Sequence, residues 1–214
     1  MKILITGFDP FGGESVNPAY EAVKLLPDEI GGAQIIKLEV PTVFGKAGEA
    51  LEQGIRTYEP DAVLCVGQAG GRSGMSVEKT AINFQDARMP DNEGNQPFDL
   101  PIKEDGETAY FATVPVKAMV AAMRENGIPA FVSYTAGTFV CNELMYTLLY
   151  ITNKKYPKVR GGFIHVPFAM GQTVDKPNGT PAMALESIAR GLECAVLAVV
   201  ENQEDISAAM GTTH

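Results

Sequence analysis

Apolar runs of strand length alternate with helical patterns along this chain, and that alternation constrains the fold more than any other feature. KILIT, QIIKLEV, DAVLCVG, PAFVSYTA and GGFIHVPF each read as a buried strand, with KTAINF as a shorter candidate. NPAYEAVKLLPDEI places Ala22, Val23, Leu25 and Leu26 on an apolar face, with Asn17 as the cap and Pro18 at the first helical position. FGKAGEALEQGIRTYEP reads as a second helix stopped near Pro60, and VPVKAMVAAMREN as a third ending at Gly127. CNELMYTLLYITNKKYP and PAMALESIARGLECAVLAVVEN read as two more. This order predicts an α/β sheet covered by helices on both faces, in a single domain over residues 1–214. In such sheets ligands gather beyond the carboxyl ends of the strands, and successive strands are often neighbours.

Composition removes several function classes. The formal net charge is -9, with no basic footprint, so nucleic acid is not an expected partner. No apolar run has the length of a bilayer span, and KILIT reads as a strand rather than a signal segment, so a cytoplasmic location is expected. The three cysteines, Cys65, Cys141 and Cys194, are odd in number, widely spaced and outside any CxxC pattern. With only two histidines, His165 and His214, neither a disulfide framework nor a metal site is expected. GQAGGRSG does not match GxxxxGK[ST], and GFDPFGG does not match GxGxxG, so no nucleotide cofactor is expected. The polar stretch from Gln85 to Gly106 reads as a long irregular excursion, a length that is usually functional or disordered.

Cys65 and Cys194 lie in apolar patterns and read as core. Cys141 stands where the run SYTAGTFV meets the next helix, and two readings stay open there. It is either a small buried residue or a nucleophile, its thiolate favoured by the unpaired N–H groups of a helix N-terminus. His165, on the next strand, is either a core histidine or the base within reach of that thiol. Glu78, just before the KTAINF strand, is the best group to orient the imidazole, although a Glu beside Lys79 alone reads as a solvated surface charge. Phe8 and Phe11 in GFDPFGG either cap the core or form an apolar slot for a flat ring.

TGFDPFGGESVNP, VPTVF, CVGQAGGRSGMSVEKTAINFQDARMPDNEGNQP, SYTAGTFVCNELMY and RGGFIHVPF together resemble, in content and order, the motifs of the pyroglutamyl peptidase I family. The resemblance implies a three-layer α/β/α sandwich with a twisted, mostly parallel (mixed) central sheet. It implies a cytoplasmic cysteine peptidase, often a tetramer, that removes an N-terminal pyroglutamyl residue from peptides without a cofactor. It assigns Cys141 as nucleophile, His165 as base and Glu78 as orienting acid. Arg88 and the Cys141 N–H fall near the oxyanion, and Gln68 near the site. Phe8, Phe11, Thr42, Met89, Phe139 and Val140 form the slot for the pyrrolidone ring. The chain departs from the family pattern at Lys79, where Arg is usual, and at Met89, where a β-branched residue is usual. Two rivals remain: another Cys-His-Glu amidase, whose tight glycines around the cysteine are replaced here by Val140 and Asn142, and a non-catalytic module that binds a small ring or a peptide terminus.

Overall fold

The computed structural model describes residues 1–212, so the terminal His214 lies outside the described residues. In chain order the strands and helices are β1 (Lys2–Phe8), α1 (Pro18–Leu25), β2 (Glu29–Ile30), β3 (Ala33–Val40), α2 (Lys46–Tyr58), β4 (Ala62–Gln68), β5 (Met75–Glu78), β6 (Thr80–Ile82) and β7 (Ala109–Phe111). Then come α3 (Val116–Glu125), β8 (Ala130–Ser133), α4 (Val140–Lys154), β9 (Arg160–Val166), β10 (Phe168–Ala169), β11 (Ala182–Met183) and α5 (Leu185–Glu201). Seven strands form the central sheet in the order β2-β3-β1-β4-β9-β5-β8. Strands β3, β1, β4 and β9 run parallel, and β5 and β8 run parallel to each other. The β2–β3 and β9–β5 pairs are antiparallel, so the sheet is mixed.

Helices α2 and α4 pack together, while α1 and α3 both pack on α5. The sheet between them is buried on both faces. That is why β1, β4 and β9 are almost unbroken apolar runs rather than alternating ones. The helix signals act as read. The Asn17 side chain accepts from the Ala19 N–H at 3.1 Å, with Pro18 at the first helical position. Helix α2 ends at Glu59, which takes a left-handed φ of 49° just before Pro60. Helix α3 is closed by Gly127 at a φ of 75°.

One expectation is corrected and another is extended. PAFVS (β8) and GGFIHV (β9) are consecutive strands in the chain but not neighbours in the sheet, because β5 lies between them. Glu78 does stand just before the KTAINF strand, β6, but it is also the last residue of β5, a strand that the sequence does not announce. The physical reason is an alternation inside MSVE. Met75 and Val77 enter the core on one face, and Ser76 and Glu78 turn to the other, all four buried. A four-residue strand supported on both sides needs no longer apolar signal.

The Gln85–Gly106 excursion is irregular yet pinned. Asp91, mostly buried, accepts from the backbone N–H groups of Phe44, Glu93 and Asn95 at 2.8 to 2.9 Å and from the Asn95 amide. Asn92 donates to the Pro10 carbonyl at 2.8 Å, which ties the excursion to the loop after β1. Asn83 accepts from the N–H groups of Ile102 and Lys103 at 2.8 and 2.9 Å.

Candidate active site

Register in the sheet brings the chemistry together. His165 on β9 lies opposite Gly67 of β4 on one side and Ser76 of β5 on the other. Residues directly opposite share a face, so Gly67, His165, Ser76 and, two residues on, Glu78 all present to the α4 side. His165 Nδ1 is 2.7 Å from Glu78 Oε1 in a pair that is almost wholly buried. An ionised carboxylate only accepts, so Nδ1 carries the proton and Nε2 is left as the basic nitrogen. Phe163 packs against the imidazole, with ring centroids 4.8 Å apart, and fixes its other degree of freedom.

Cys141 is the second residue of α4, half-buried, and its sulfur lies over Gly67. A Cβ at Gly67 would meet Phe163 Cζ at 2.8 Å and Cys141 Sγ at 3.0 Å, so a glycine there is what lets the helix start close on the strand. No side chain caps the helix at Phe139, which leaves first-turn N–H groups open to an incoming anion. Asn142 locks this turn in place. Its amide donates to the carbonyls of Ile82 and Phe84 at 2.9 and 3.0 Å, and its oxygen accepts from the Ile82 N–H at 3.0 Å.

The charges around the sulfur do not leave a resting thiolate. Burial, followed by the negative charge of Glu78, pushes the Cys141 thiol up to about 12, with Arg72 acting the other way. The helix-terminus effect expected from the sequence is outweighed by desolvation. Burial also opposes ionisation of Glu78, but the bond to His165, the Ser133 hydroxyl and the Arg72 charge together hold its carboxyl below the usual range.

Cys141 and His165 open on one cleft of about 300 Å³, whose other walls include Phe11, Gln68, Arg88, Met89 and Phe139. Phe11 and Phe139 are 6.3 Å apart between ring centroids, and Phe44 stands edge-on behind Phe139 at 5.3 Å. Gln68 is held by the Gln172 amide, which donates to its oxygen at 2.9 Å. The Arg88 guanidinium is exposed and makes no hydrogen bond among the described residues. The polar excursion therefore delivers three cleft residues, Asp86, Arg88 and Met89.

Three residues expected at the slot stand behind it. Phe8, 1 % exposed, packs on Phe163 in the core, because it is still inside β1 and takes that strand's inward alternation. Val140 is wholly buried under the first turn of α4. Thr42 is also buried, and its N–H and hydroxyl donate to Asp9 Oδ1 and Asp9 carbonyl oxygen at 2.7 and 3.1 Å, which supports the loop carrying Phe11. Cys65 is core as read, while Cys194 is half-buried on α5.

Arg72 was not singled out in the sequence. Its guanidinium reaches Glu78 Oε1 at 2.6 Å and the Ser76 hydroxyl, on the loop between β4 and β5. The signal was available: GQAGGRSG fails as a phosphate loop, yet an Arg six residues before a Glu that alternates with core residues is placed to neutralise it.

Among the described residues, no group of three or more His, Cys, Asp and Glu side chains could hold a metal ion, and no helix is long and apolar enough to cross a membrane.

Comparison with known proteins shows the family and the fold. The family model described as pyroglutamyl peptidase matches residues 1–202. The chain is 59% identical over 214 residues to the pyrrolidone-carboxylate peptidase of Enterococcus faecalis, covering 100% of both chains. It is 60% identical over 211 residues to that of Clostridium perfringens, covering 99% of each. Among solved structures, pyroglutamyl peptidase I from Bacillus amyloliquefaciens superposes with a TM-score of 0.94 at 46% identity, over 97% of this chain and 99% of that one. A mutant pyrrolidone carboxyl peptidase from Pyrococcus furiosus gives 0.90 at 43% identity, over 94% and 99%.

Proposed function

The chain belongs to the pyroglutamyl peptidase family, and we propose that it removes N-terminal pyroglutamyl residues by attack of Cys141, with His165 as base and Glu78 as the acid that orients it. The observation that carries the assignment is the His165–Glu78 pair at 2.7 Å, set beside a thiol at the start of α4 on the same cleft.

In this reading the resting site holds a thiol. As Cys141 Sγ attacks the exocyclic carbonyl of the pyroglutamyl residue, its proton passes to His165 Nε2, so that deprotonation and bond formation occur together. Glu78 stabilises the imidazolium through Nδ1 and is not itself protonated. The oxyanion is met by the Cys141 N–H and by the unpaired Arg88 guanidinium; loss of one such donor costs about 3 kcal/mol of barrier. His165 then protonates the departing amine, and water, deprotonated by the same nitrogen, hydrolyses the thioester.

Selectivity follows from the walls. Phe11, Phe139 and Met89 offer apolar contact to a flat ring, and backbone groups of the Phe139 turn pair with the lactam. An open-chain N-terminal residue would bring a charged ammonium against those rings, which is costly. Phe11→Ala should raise KM roughly tenfold, the worth of one apolar ring face, with kcat and melting temperature little changed.

Family membership also supports a single α/β peptidase domain over residues 1–214, a cytoplasmic location and a homotetramer. The exposed Phe98 and Leu100 of the excursion are available for contacts between copies.

The direct test is hydrolysis of a pyroglutamyl-amide reporter under reducing conditions, before and after thiol alkylation, with mass mapping of the labelled site. Turnover should vanish in proportion to labelling of Cys141. Full turnover with Cys141 alkylated would remove it as nucleophile, and binding without turnover would return the cleft to a non-catalytic module.

A further inference from the structure

One oxygen of Glu78 carries two loads. Oε1 takes both His165 Nδ1 at 2.7 Å and Arg72 Nη1 at 2.6 Å, while Oε2 is buried with no hydrogen-bond partner among the described residues. The guanidinium is fixed by two further bonds, to the Ser76 hydroxyl and to the Thr135 carbonyl at 3.4 Å. Ser76 stands directly opposite His165 in the sheet, so Arg72 braces the carboxylate from the strand that faces the imidazole. The neighbouring cation in the sequence does not do this work. The Lys79 ammonium lies over the Phe111 ring, 5.7 Å from its centroid.

The consequence is electrostatic as well as geometric. The Glu78 carboxylate pulls positive charge onto the ring it holds, and a doubly protonated ring cannot accept the Cys141 proton. A permanent positive charge on the same carboxylate oxygen cancels most of that pull. Arg72 also favours ionisation of the sulfur, opposing Glu78. Arg72 thus offsets the Glu78 charge at the sulfur as well as at the carboxylate.

We propose that Arg72 is a positioning residue for the reaction: it holds the Glu78 carboxylate on His165 Nδ1 and offsets its charge, so that Nε2 is left as the accepting nitrogen. This rests on the Cys141–His165–Glu78 assignment above and adds a fourth member to it, one whose bond to the triad is to Glu78.

The test is the pH dependence of kcat/KM for a pyroglutamyl-amide reporter, measured for the wild type, Arg72→Met, Arg72→Lys and Glu78→Gln. Arg72→Met should move the acid limb to higher pH, with a loss of at least roughly tenfold at neutral pH borne by kcat. Arg72→Lys keeps the charge but not the fork, so its limb should stay at the wild-type position while kcat falls. A scaffold role alone would lower activity without moving the limb, so Arg72→Met with an unmoved limb overturns the proposal. If Arg72→Met does not melt cooperatively, Arg72→Lys decides: wild-type kcat at every pH would overturn it. The two readings fail separately. A wild-type profile in Glu78→Gln removes the triad itself, whereas collapse in Glu78→Gln beside an unmoved limb in Arg72→Met removes Arg72 alone.

Discussion

Cys141→Ala leaves a folded protein that hydrolyses pyroglutamyl amides at least about 10⁴-fold more slowly, the scale of loss seen when a nucleophile is deleted from a triad. The fold survives because a single sulfur is lost from a residue at the margin of the core. It is half-buried, opens on the cleft and rests on a glycine, so its removal costs on the order of 1 kcal/mol and shifts the melting temperature by about 2–4 °C. Cys141→Ser should be nearly as inactive, since the hydroxyl is far less acidic and less nucleophilic than a thiol already pushed up to about 12. Glu78→Gln should lose about 10²–10⁴-fold in kcat by a different route. The amide can turn its NH₂ toward the ring, which selects the tautomer with the proton on Nε2 and removes the base. Steady-state kinetics beside thermal melts of the three variants check both halves. Turnover within tenfold of the wild type in a folded Cys141→Ala protein would overturn the nucleophile assignment.

What the sequence made legible is what depends on neighbours in the chain. The Asn17–Pro18 start of α1, the Pro60 stop of α2 and the Gly127 stop of α3 are local backbone events, and each acts at the residue read. The position of Cys141 at a helix start is local too. What it concealed is set across the sheet. Residues 75–78 are too short to read as a strand, and only the pairing of Ser76 with His165 and of Glu78 with Ser133 shows why Glu78 is buried rather than solvated. The same holds for the two phenylalanines of GFDPFGG. Phe8 and Phe11 are chemically equal, and their different fates follow from where β1 ends, which sends one into the core and leaves the other on the cleft. The family resemblance put Glu78 in the site from its motif, but not the partner that neutralises it. Arg72 lies on a glycine-rich loop whose shape is visible only once β4 and β5 are fixed on either side of β9.

Glu143, two residues beyond the nucleophile, sets the second large effect, on stability rather than catalysis. It sits on the face of α4 packed against α2, only 2 % exposed, with Thr147 donating to Oε1 at 3.1 Å and Oε2 without a partner among the described residues. Burial drives its carboxyl from an ordinary 4.5 up to about 7, while Thr147, Lys103 and the Gly45 N–H pull the other way and Glu49 adds to the rise. The folded state therefore holds a proton that the unfolded chain releases more readily. Below about pH 4.5 both states are protonated and the group costs nothing. As pH climbs from there towards 7, the unfolded chain ionises first and stability declines, by up to ~1.4 kcal/mol per unit. Above 7 both are ionised and the penalty levels off near 3 kcal/mol, the product of that slope and the shift. Glu143→Gln keeps an acceptor for Thr147 and removes the titration. It should match the wild type in melting temperature near pH 4.5 and exceed it by about 5–10 °C at pH 8, with kcat retained because the side chain faces α2 and not the cleft. Thermal melts of both proteins from acid to mildly alkaline pH give the difference directly. A gap that stays constant with pH would mean that Glu143 is not the buried proton site, and a destabilised Gln variant at pH 8 would mean that its charge is paired in the folded state after all.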